Sequence, residues 1–149
     1  MTHVCFRAAH TVLAFALLTL GYSLNALALE ASIERDTYGV PHVYGATDAD
    51  AAFGLAYAQA EDAWPIMEGS LPFFRGNAGR YEGQEGAQSD YLVKWLDLWG
   101  TLDRDYERVL SPEIRAYVEA FAAGFNAFAR DHTDEIEHPE LLPVTGKDI

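Results

Sequence analysis

The chain has 149 residues, of which 10 are basic and 23 acidic, so its formal net charge is -13. This acidic balance repels phosphate backbones and anionic lipid surfaces, which argues against nucleic-acid binding and peripheral membrane binding. The length fits one domain or part of one. The single cysteine, Cys5, excludes an intramolecular disulfide.

The first 28 residues have the features of a secretory signal peptide. Arg7 lies near the start, a mostly apolar run extends from Val12 to Leu20, and Ala26-Leu27-Ala28 forms a small-x-small cleavage site. The apolar run is well short of the ~20 residues that span a bilayer, which argues against a membrane anchor. We therefore expect an exported protein, periplasmic or secreted, that loses residues 1–28 and has no membrane contact afterwards.

Two short extended segments open the chain that remains. Ala31–Asp36 has a period-two pattern with a β-branched residue, which predicts a strand. Tyr38-Gly39 predicts a turn, and Pro41 forces its predecessor out of the helical region, so Val40–Tyr44 is predicted to be extended. Pro41 also indicates an edge strand or the first residue of a strand. The lone His42 is interpreted as structural rather than catalytic or metal-binding.

A strongly apolar helix is predicted next. Thr47-Asp48-Ala49-Asp50 has the spacing of a capping box, and Pro65 is expected to kink or end the helix. Gly54 within it indicates the close approach of another backbone, since a mid-helix glycine costs ~1 kcal/mol relative to alanine. Between Ala51 and Ala60 the only polar side chain is Gln59, so the helix must be covered on every side. We expect the rest of the chain to be too small to cover this helix on every side.

The region after this helix gives a weaker pattern. Arg75–Gly86 is rich in glycine and is predicted to be a loop or a frayed helix end, without the features of a phosphate-binding loop. Ser89 or Asp90 is expected to cap a second helix, with a possible break at Gly100. An apolar stripe along that helix is expected to belong to the core, although it could also line a ligand pocket: Leu92, Trp95, Leu96, Trp99 and Leu102.

The most secure helix is the last one. Ser111-Pro112-Glu113 combines a serine cap, a proline at the first helical position and an acid in the first turn, and helical spacing continues to about Arg130. Two histidines and three acids follow it: His132, Asp134, Glu135, Glu137 and His138. Their spacing matches no compact metal-ligand pattern, so we interpret the segment as a solvated acidic loop.

No nucleophile with an adjacent base emerges from the residues themselves. None of the serines lies in a glycine-flanked elbow: Ser23, Ser32, Ser70, Ser89 and Ser111. We assign no catalytic, cofactor-binding or metal-binding residue. The residues alone therefore predict an exported, acidic, mostly helical and incomplete protein.

Several stretches resemble one enzyme family. Glu34–Tyr44 (ERDTYGVPHVY) and Ala52–Asp62 (AFGLAYAQAED) resemble the opening of the penicillin acylase family of N-terminal-nucleophile hydrolases. Glu119–Ala127 is similar to a later helix of that family, and Leu142–Ile149 resembles the segment before its next helix. The match covers nearly all of the chain after residue 28, in the right order.

The resemblance implies a parent with the αββα sandwich of an α+β N-terminal-nucleophile hydrolase. Residues 29–149 would be the amino-terminal portion of its α subunit, an incomplete domain that is mainly α with a short amino-terminal pair of β strands. In that family an exported precursor cuts itself into a small α and a large β subunit. The new β amino terminus, usually serine, is the nucleophile, and its α-amino group is the base.

The implied reaction is hydrolysis of the amide bond of N-acyl compounds, namely acyl-homoserine lactones, penicillins or lipopeptides. The implied partners are the remainder of the α subunit, the β subunit and the small-molecule substrate. The nucleophile and the oxyanion donors would lie downstream, so this chain alone is predicted to be inactive. No cofactor is expected in this chain, and a structural calcium is possible in the full enzyme.

Two departures refine the resemblance. Ala63-Trp64-Pro65 stands where the family often has arginine, which looks more like the branch acting on acyl-homoserine lactones and lipopeptides. Gly69-Ser70 mimics the autocleavage junction, but Leu71-Pro72-Phe73 follows and the position is far too early, so we reject Ser70 as the nucleophile. The alternatives are a free-standing exported helical binding protein, with Trp95 and Trp99 on its contact surface, or a truncated product without function.

Overall fold

The computed structural model describes residues 28–149, so the predicted signal peptide, apart from Ala28, lies outside the described residues. Within them, two antiparallel strands precede five helices: β1 (Ala31–Arg35), β2 (Pro41–Gly45), α1 (Asp48–Phe74), α2 (Gly79–Glu82), α3 (Gln84–Trp95), α4 (Leu98–Val109) and α5 (Pro112–Asp131). Short 3-10 turns follow at Thr133–Glu135, Pro139–Leu141 and Gly146–Asp148. This confirms the mainly helical fold with an amino-terminal strand pair. Among the described helices, none combines the length and apolarity that crossing a bilayer demands.

The hairpin forms as its turn residues predict. The Asp36 carboxylate accepts hydrogen bonds from the N–H groups of Tyr38 (2.8 Å) and Val40 (3.0 Å). Gly39 closes the turn with a φ of 83°, a conformation that favours glycine. Pro41 is the first residue of β2, as predicted, whereas Val40 lies just before the strand.

The start of α1 is the predicted capping box. The Asp50 N–H donates to Thr47 Oγ1 (3.1 Å), and the Thr47 N–H donates to the Asp50 carboxylate (3.0 Å). Helical dihedrals are interrupted at Ala63 (φ -151°, ψ 30°), and the helix then resumes as far as Phe74. Pro65 therefore kinks α1 and does not end it, because its ring and missing N–H disturb the preceding turn.

Helix α1 lies between the hairpin and α5. A Cβ on Gly54 would come within 2.5 Å of Ala31 Cβ and 2.7 Å of Val43 Cγ1. The predicted close approach is confirmed, although side chains of both strands make it instead of a backbone. A Cβ on Gly124 would overlap the carbonyl oxygen of Phe53, so α5 also approaches α1 to backbone contact.

The prediction that the chain cannot cover the apolar part of α1 is wrong for most of its circumference. Five of its small residues are buried: Ala52, Gly54, Ala56, Ala58 and Ala60. Because they carry a methyl group or none, the hairpin and α5 approach closely enough for two elements to cover most of the helix. Within residues 51–60, only Leu55 and Gln59 are exposed.

The region after α1 departs most from its prediction. Helix α2 and the start of α3 occupy residues predicted to be a loop, and α3 begins at Gln84 instead of being capped by Ser89 or Asp90. The Asp90 carboxylate instead accepts hydrogen bonds from the N–H groups of Ala78 (2.6 Å) and Gly79 (2.9 Å). Its capping function is real but serves the amino terminus of α2.

The break between α3 and α4 falls at Asp97, which adopts a φ of 49°, and Gly100 lies inside α4. The apolar stripe on these helices was predicted to be core, and this is wrong for most of it. Trp95 is 69% exposed, and Leu92 and Leu96 are about half exposed (47% and 50%). The stripe splits because the left-handed residue redirects the chain before α4 begins.

The core lies where α1, α5 and the carboxyl-terminal segment (residues 141–148) meet. Trp64 and Phe128 are its least exposed large side chains, with ring centroids 5.4 Å apart. Phe125, Leu141 and Val144 belong to the same cluster. Helix α5 starts at the predicted Ser111 cap and extends one residue past its predicted end.

Candidate functional site

An apolar cavity of about 240 Å³ opens between α1, α5 and the carboxyl-terminal segment. Its apolar lining comes from Trp64, Met67, Leu71, Phe74, Phe121, Phe125, Val144 and Ile149. Three polar side chains complete the lining: Gln59, Ser70 and Asp148. A concave apolar surface with few polar groups is the usual form of a small-molecule site. Any catalytic role of the cavity would depend on those three polar side chains.

Ser70 is the hydroxyl group of this cavity. Its Oγ donates a hydrogen bond to the carbonyl oxygen of Met67 (2.7 Å), one turn earlier in α1. A serine nucleophile requires a base within hydrogen-bond reach of its proton, and no histidine or lysine lines the cavity. These contacts support the rejection of Ser70 as a nucleophile, which stays a prediction.

Asp148 is fixed by an ion pair with Arg75, which we call the Arg75–Asp148 clamp. Nε of Arg75 lies 2.7 Å from Oδ1, and Nη2 lies 2.9 Å from Oδ2. The guanidinium also donates to the carbonyl oxygens of Leu141 (2.6 Å) and Pro143 (3.2 Å). The Asp148 side chain is only 1% exposed. Burial alone would raise the pKa of Asp148, but hydrogen bonds from Arg75 and Thr145 outweigh it and hold that pKa below its ordinary value.

Other side chains hold the same segment against the helices. The Asn126 amide donates to the Val144 carbonyl (2.7 Å) and accepts from the Val144 N–H (2.8 Å). Glu119 accepts from the Tyr106 hydroxyl (2.8 Å) and from the Gly146 N–H (3.2 Å). Burial, together with the hydrogen bond to Glu119, raises the pKa of Tyr106 to about 12. Lys147 Nζ also lies 2.7 Å from the Asp103 carboxylate of α4. The carboxyl-terminal segment is therefore fixed to α4, to α5 and, through Arg75, to the end of α1.

A second polar cluster surrounds His132, which was predicted to lie in a solvated loop. Its ring stacks on Phe128, with centroids 4.3 Å apart. Nε2 lies 3.4 Å from the Tyr57 hydroxyl, and Nδ1 lies 3.1 Å from the Glu135 carboxylate. Burial, followed by the charges of Asp131 and Glu61, raises the pKa of Tyr57. This cluster joins the end of α5 to α1, and none of its residues lines the cavity.

The remaining predicted positions do not assemble into a metal or catalytic site. A structural His42 was expected to bond to the backbone through its ring, but its Nε2 instead lies 3.6 Å from the Asp36 carboxylate in the hairpin turn, and its side chain is half exposed. Within residues 28–149, no three or more histidine, cysteine or carboxylate side chains gather in a metal-binding arrangement.

Sequence reasoning missed the Arg75–Asp148 clamp because its partners are far apart in the chain.

Comparisons with known proteins agree with one another. The penicillin amidase family model matches residues 30–146. Penicillin acylase 2 proenzyme of Pseudomonas sp. (strain SE83) is 33% identical over 106 residues, which are 71% of this chain and 14% of that protein. The acyl-homoserine lactone acylase PvdQ of Pseudomonas savastanoi pv. phaseolicola (strain 1448A / Race 6) is 31% identical over 125 residues, 76% of this chain and 16% of that protein.

One solved structure extends the comparison to the fold. The thermostable penicillin G acylase from Alcaligenes faecalis matches 80% of this chain and 67% of its own chain, with a TM-score of 0.66 and 26% identity. The chain thus spans only 14% and 16% of the length of the two curated relatives and 67% of the matched structural chain.

Proposed function

The chain belongs to the penicillin amidase family, and we propose that it is the amino-terminal part of an exported precursor of an amide-hydrolysing acylase. The observation that supports this most directly is the family match over residues 30–146. Its relatives are named penicillin acylase and acyl-homoserine lactone acylase, so the proposed substrates are N-acyl compounds of these classes. The parent fold is proposed to be the αββα sandwich of N-terminal-nucleophile hydrolases.

The exposed apolar surface supports the view that further polypeptide packs against this piece. Ile66 is 77% exposed and Trp95 69% exposed, and Phe74 is more than half exposed. Their apolar side chains offer surface that a further polypeptide could remove from water. We propose that the rest of the α subunit and the β subunit of the same precursor cover them.

The proposed chemistry takes place outside this chain. A serine that becomes the amino terminus of the β subunit attacks the carbonyl carbon of the substrate amide, and its α-amino group takes the hydroxyl proton. The proton passes to the leaving amine, and water then hydrolyses the acyl-serine ester. Residues 28–149 contribute packing, and by themselves they are expected to be inactive.

The complete precursor is expected to cut itself into two chains and to hydrolyse an N-acyl-homoserine lactone or a penicillin. In the processed protein, Ser70→Ala should leave kcat/KM within roughly twofold, since the Ser70 hydroxyl bonds only its own helix. Alanine at the new amino terminus should abolish turnover. A processed protein without activity on any N-acyl amide would overturn the proposal, and a folded, processed but inactive Ser70→Ala variant would contradict the rejection of Ser70.

Export is a separate expectation. Amino-terminal sequencing of the exported protein should begin at Leu29, because Ala26-Leu27-Ala28 provides the small residues that a signal peptidase requires. Ala28→Asp should block cleavage, whereas the neighbouring Glu30→Gln should not affect it. Mature protein that retains Met1 would contradict the assignment of residues 1–28.

The free-standing binding protein remains the second candidate because Trp95 is so exposed. The two candidate functions predict different effects of changing this exposed surface. In an acylase precursor, Trp95→Ser should impair assembly with the downstream chain. In a binding protein, it should leave a monomer intact and remove binding alone.

A further inference from the structure

The side chain of Trp64 contains a polar group that the described part of the chain leaves unpaired. Trp64 follows the interruption of α1 at Ala63 and is only 2% exposed, yet its Nε1 has no hydrogen-bond partner among residues 28–149. A buried indole N–H usually has an acceptor, because an unpaired donor in an apolar environment is costly. Asn77 and Arg115 also have a buried unpaired atom, but neither lines the cavity that Trp64 lines. The unpaired donor of Trp64 therefore indicates a ligand with an acceptor group.

The walls of this cavity favour an aromatic ligand over an alkyl chain. Four of its lining residues are aromatic: Trp64, Phe74, Phe121 and Phe125. Phe121 and Phe125 already pair edge to face, with centroids 5.0 Å apart, and Met67 belongs to the same lining. Aromatic side chains attract a further ring through edge-to-face and offset contacts, and a thioether sulfur packs favourably against a ring.

The volume of the cavity fits a single ring with a short substituent. An apolar cavity of about 150 Å³ is large enough to bind benzene. The cavity beside Trp64 has about 240 Å³. The difference leaves room for a short polar group on the ring, which could serve as the acceptor for the indole N–H.

The charge in the lining selects for a neutral ligand. Asp148 is the only charged side chain among the lining residues, and its pKa lies below the ordinary value, so it is ionised at neutral pH. Because Arg75 already pairs with it at 2.7 and 2.9 Å, Asp148 needs no cationic ligand, and its charge disfavours an anionic one. The Ser70 hydroxyl already donates to the Met67 carbonyl. The remaining side-chain donors of the lining are the Trp64 N–H and the exposed Gln59 amide.

We propose that this cavity binds a small neutral aromatic molecule whose carbonyl oxygen accepts a hydrogen bond from Trp64 Nε1. Aromatic ketones and esters are the chemical class that combines a single ring with such an acceptor. The proposal concerns binding alone and goes beyond the proposed function. It is tested without measuring turnover, so its failure and the failure of the proposed amide hydrolysis are distinguishable.

NMR titration of the complete mature protein tests the proposal. Acetophenone should shift two resonances saturably, the indole N–H of Trp64 and the methyl group of Met67. Its carbonyl should move the indole proton downfield, whereas ethylbenzene, which has a similar size but no acceptor, should not. Benzoate should bind on the order of tenfold more weakly than acetophenone at neutral pH, because it brings an unpaired charge into the cavity. If acetophenone shifts neither resonance saturably, the proposal is overturned.

Two conservative variants separate the hydrogen bond from the fit of the ring, with the Met67 methyl group reporting binding in both. Trp64→Phe keeps an aromatic ring but removes the N–H, so the preference for acetophenone over ethylbenzene should fall roughly fivefold. Trp95→Phe is the matched control, because Trp95 is 69% exposed and lies outside the lining, and it should leave that preference unchanged. An unchanged preference in Trp64→Phe would overturn the proposal. If Trp64→Phe does not fold, the indole proton of the unmodified protein decides, and the absence of a downfield shift with acetophenone overturns the proposal.

Discussion

Gly124→Leu is expected to lower the free energy of unfolding of the processed protein by about 3 kcal/mol. A Cβ at position 124 overlaps the carbonyl oxygen of Phe53 and lies 2.8 Å from Ala56 Cβ. Helix α1 has no room to retreat, because Gly54 on another side already touches Ala31 and Val43. Urea unfolding followed by circular dichroism measures the loss. A protein too unstable to accumulate agrees with the same expectation, and Gly124→Ala then provides the measurable variant.

Gly69→Ala is the matched control. Gly69 lies within α1, and a Cβ there would meet no atom within 4 Å. Alanine should therefore stabilise the helix by roughly 0.5–1 kcal/mol through the lower backbone entropy of the unfolded chain. If Gly124→Ala and Gly69→Ala have the same effect on the urea midpoint, the close crossing of α1 and α5 is contradicted.

Features determined by short stretches of chain could be predicted from the sequence. The Thr47 and Ser111 caps join atoms three residues apart, so residue type and spacing suffice to place both helix starts. The period-two pattern of Ala31–Asp36 predicted the first strand, and the Tyr38-Gly39 turn together with Pro41 predicted the second. The same locality explains why the kink near Pro65 was expected.

Features that depend on distant partners could not be predicted. Asp90 has the side chain of a helix cap, but it caps α2 because the chain folds back between α2 and α3. The Arg75–Asp148 clamp joins residues 73 positions apart, and nothing in the neighbourhood of either residue indicates the other. Coverage of α1 was misjudged because a pattern of alanines shows apolarity and not how closely other elements approach.

The family could be recognised from the sequence because its motifs are short continuous stretches. No catalytic centre could be recognised in the same way. Glu34–Tyr44 contains the whole turn of the hairpin and part of both strands, and Ala52–Asp62 forms the part of α1 that packs against the hairpin and α5. These motifs thus have a structural reason to hold small or turn-forming residues. Neither contributes a nucleophile, which fits a proposed centre in the downstream chain.

Asp148→Ala is expected to lower the free energy of unfolding of the processed protein by on the order of 3 kcal/mol. The variant leaves the Arg75 guanidinium without its carboxylate partner. The Arg75 side chain is only 19% exposed, so water can replace that partner only in part. It also removes the acceptor for the Thr145 N–H (2.8 Å). Arg108→Ala is the control, because its ion pair with Asp105 is on the surface, with the arginine side chain 70% exposed, and should change stability by less than about 1 kcal/mol.

The pH dependence of unfolding separates the charge of Asp148 from its volume. Its pKa in the folded protein lies below the ordinary value of 3.8, so the clamp stabilises the fold above that value and loses this contribution as pH falls through the folded pKa. Asp148→Asn keeps the size of the side chain but removes this titration. The stability difference between the unmodified protein and Asp148→Asn should therefore be constant near neutral pH and shrink below about pH 4. A difference that stays constant into acid would show that Arg75 does not depend on the charge of Asp148.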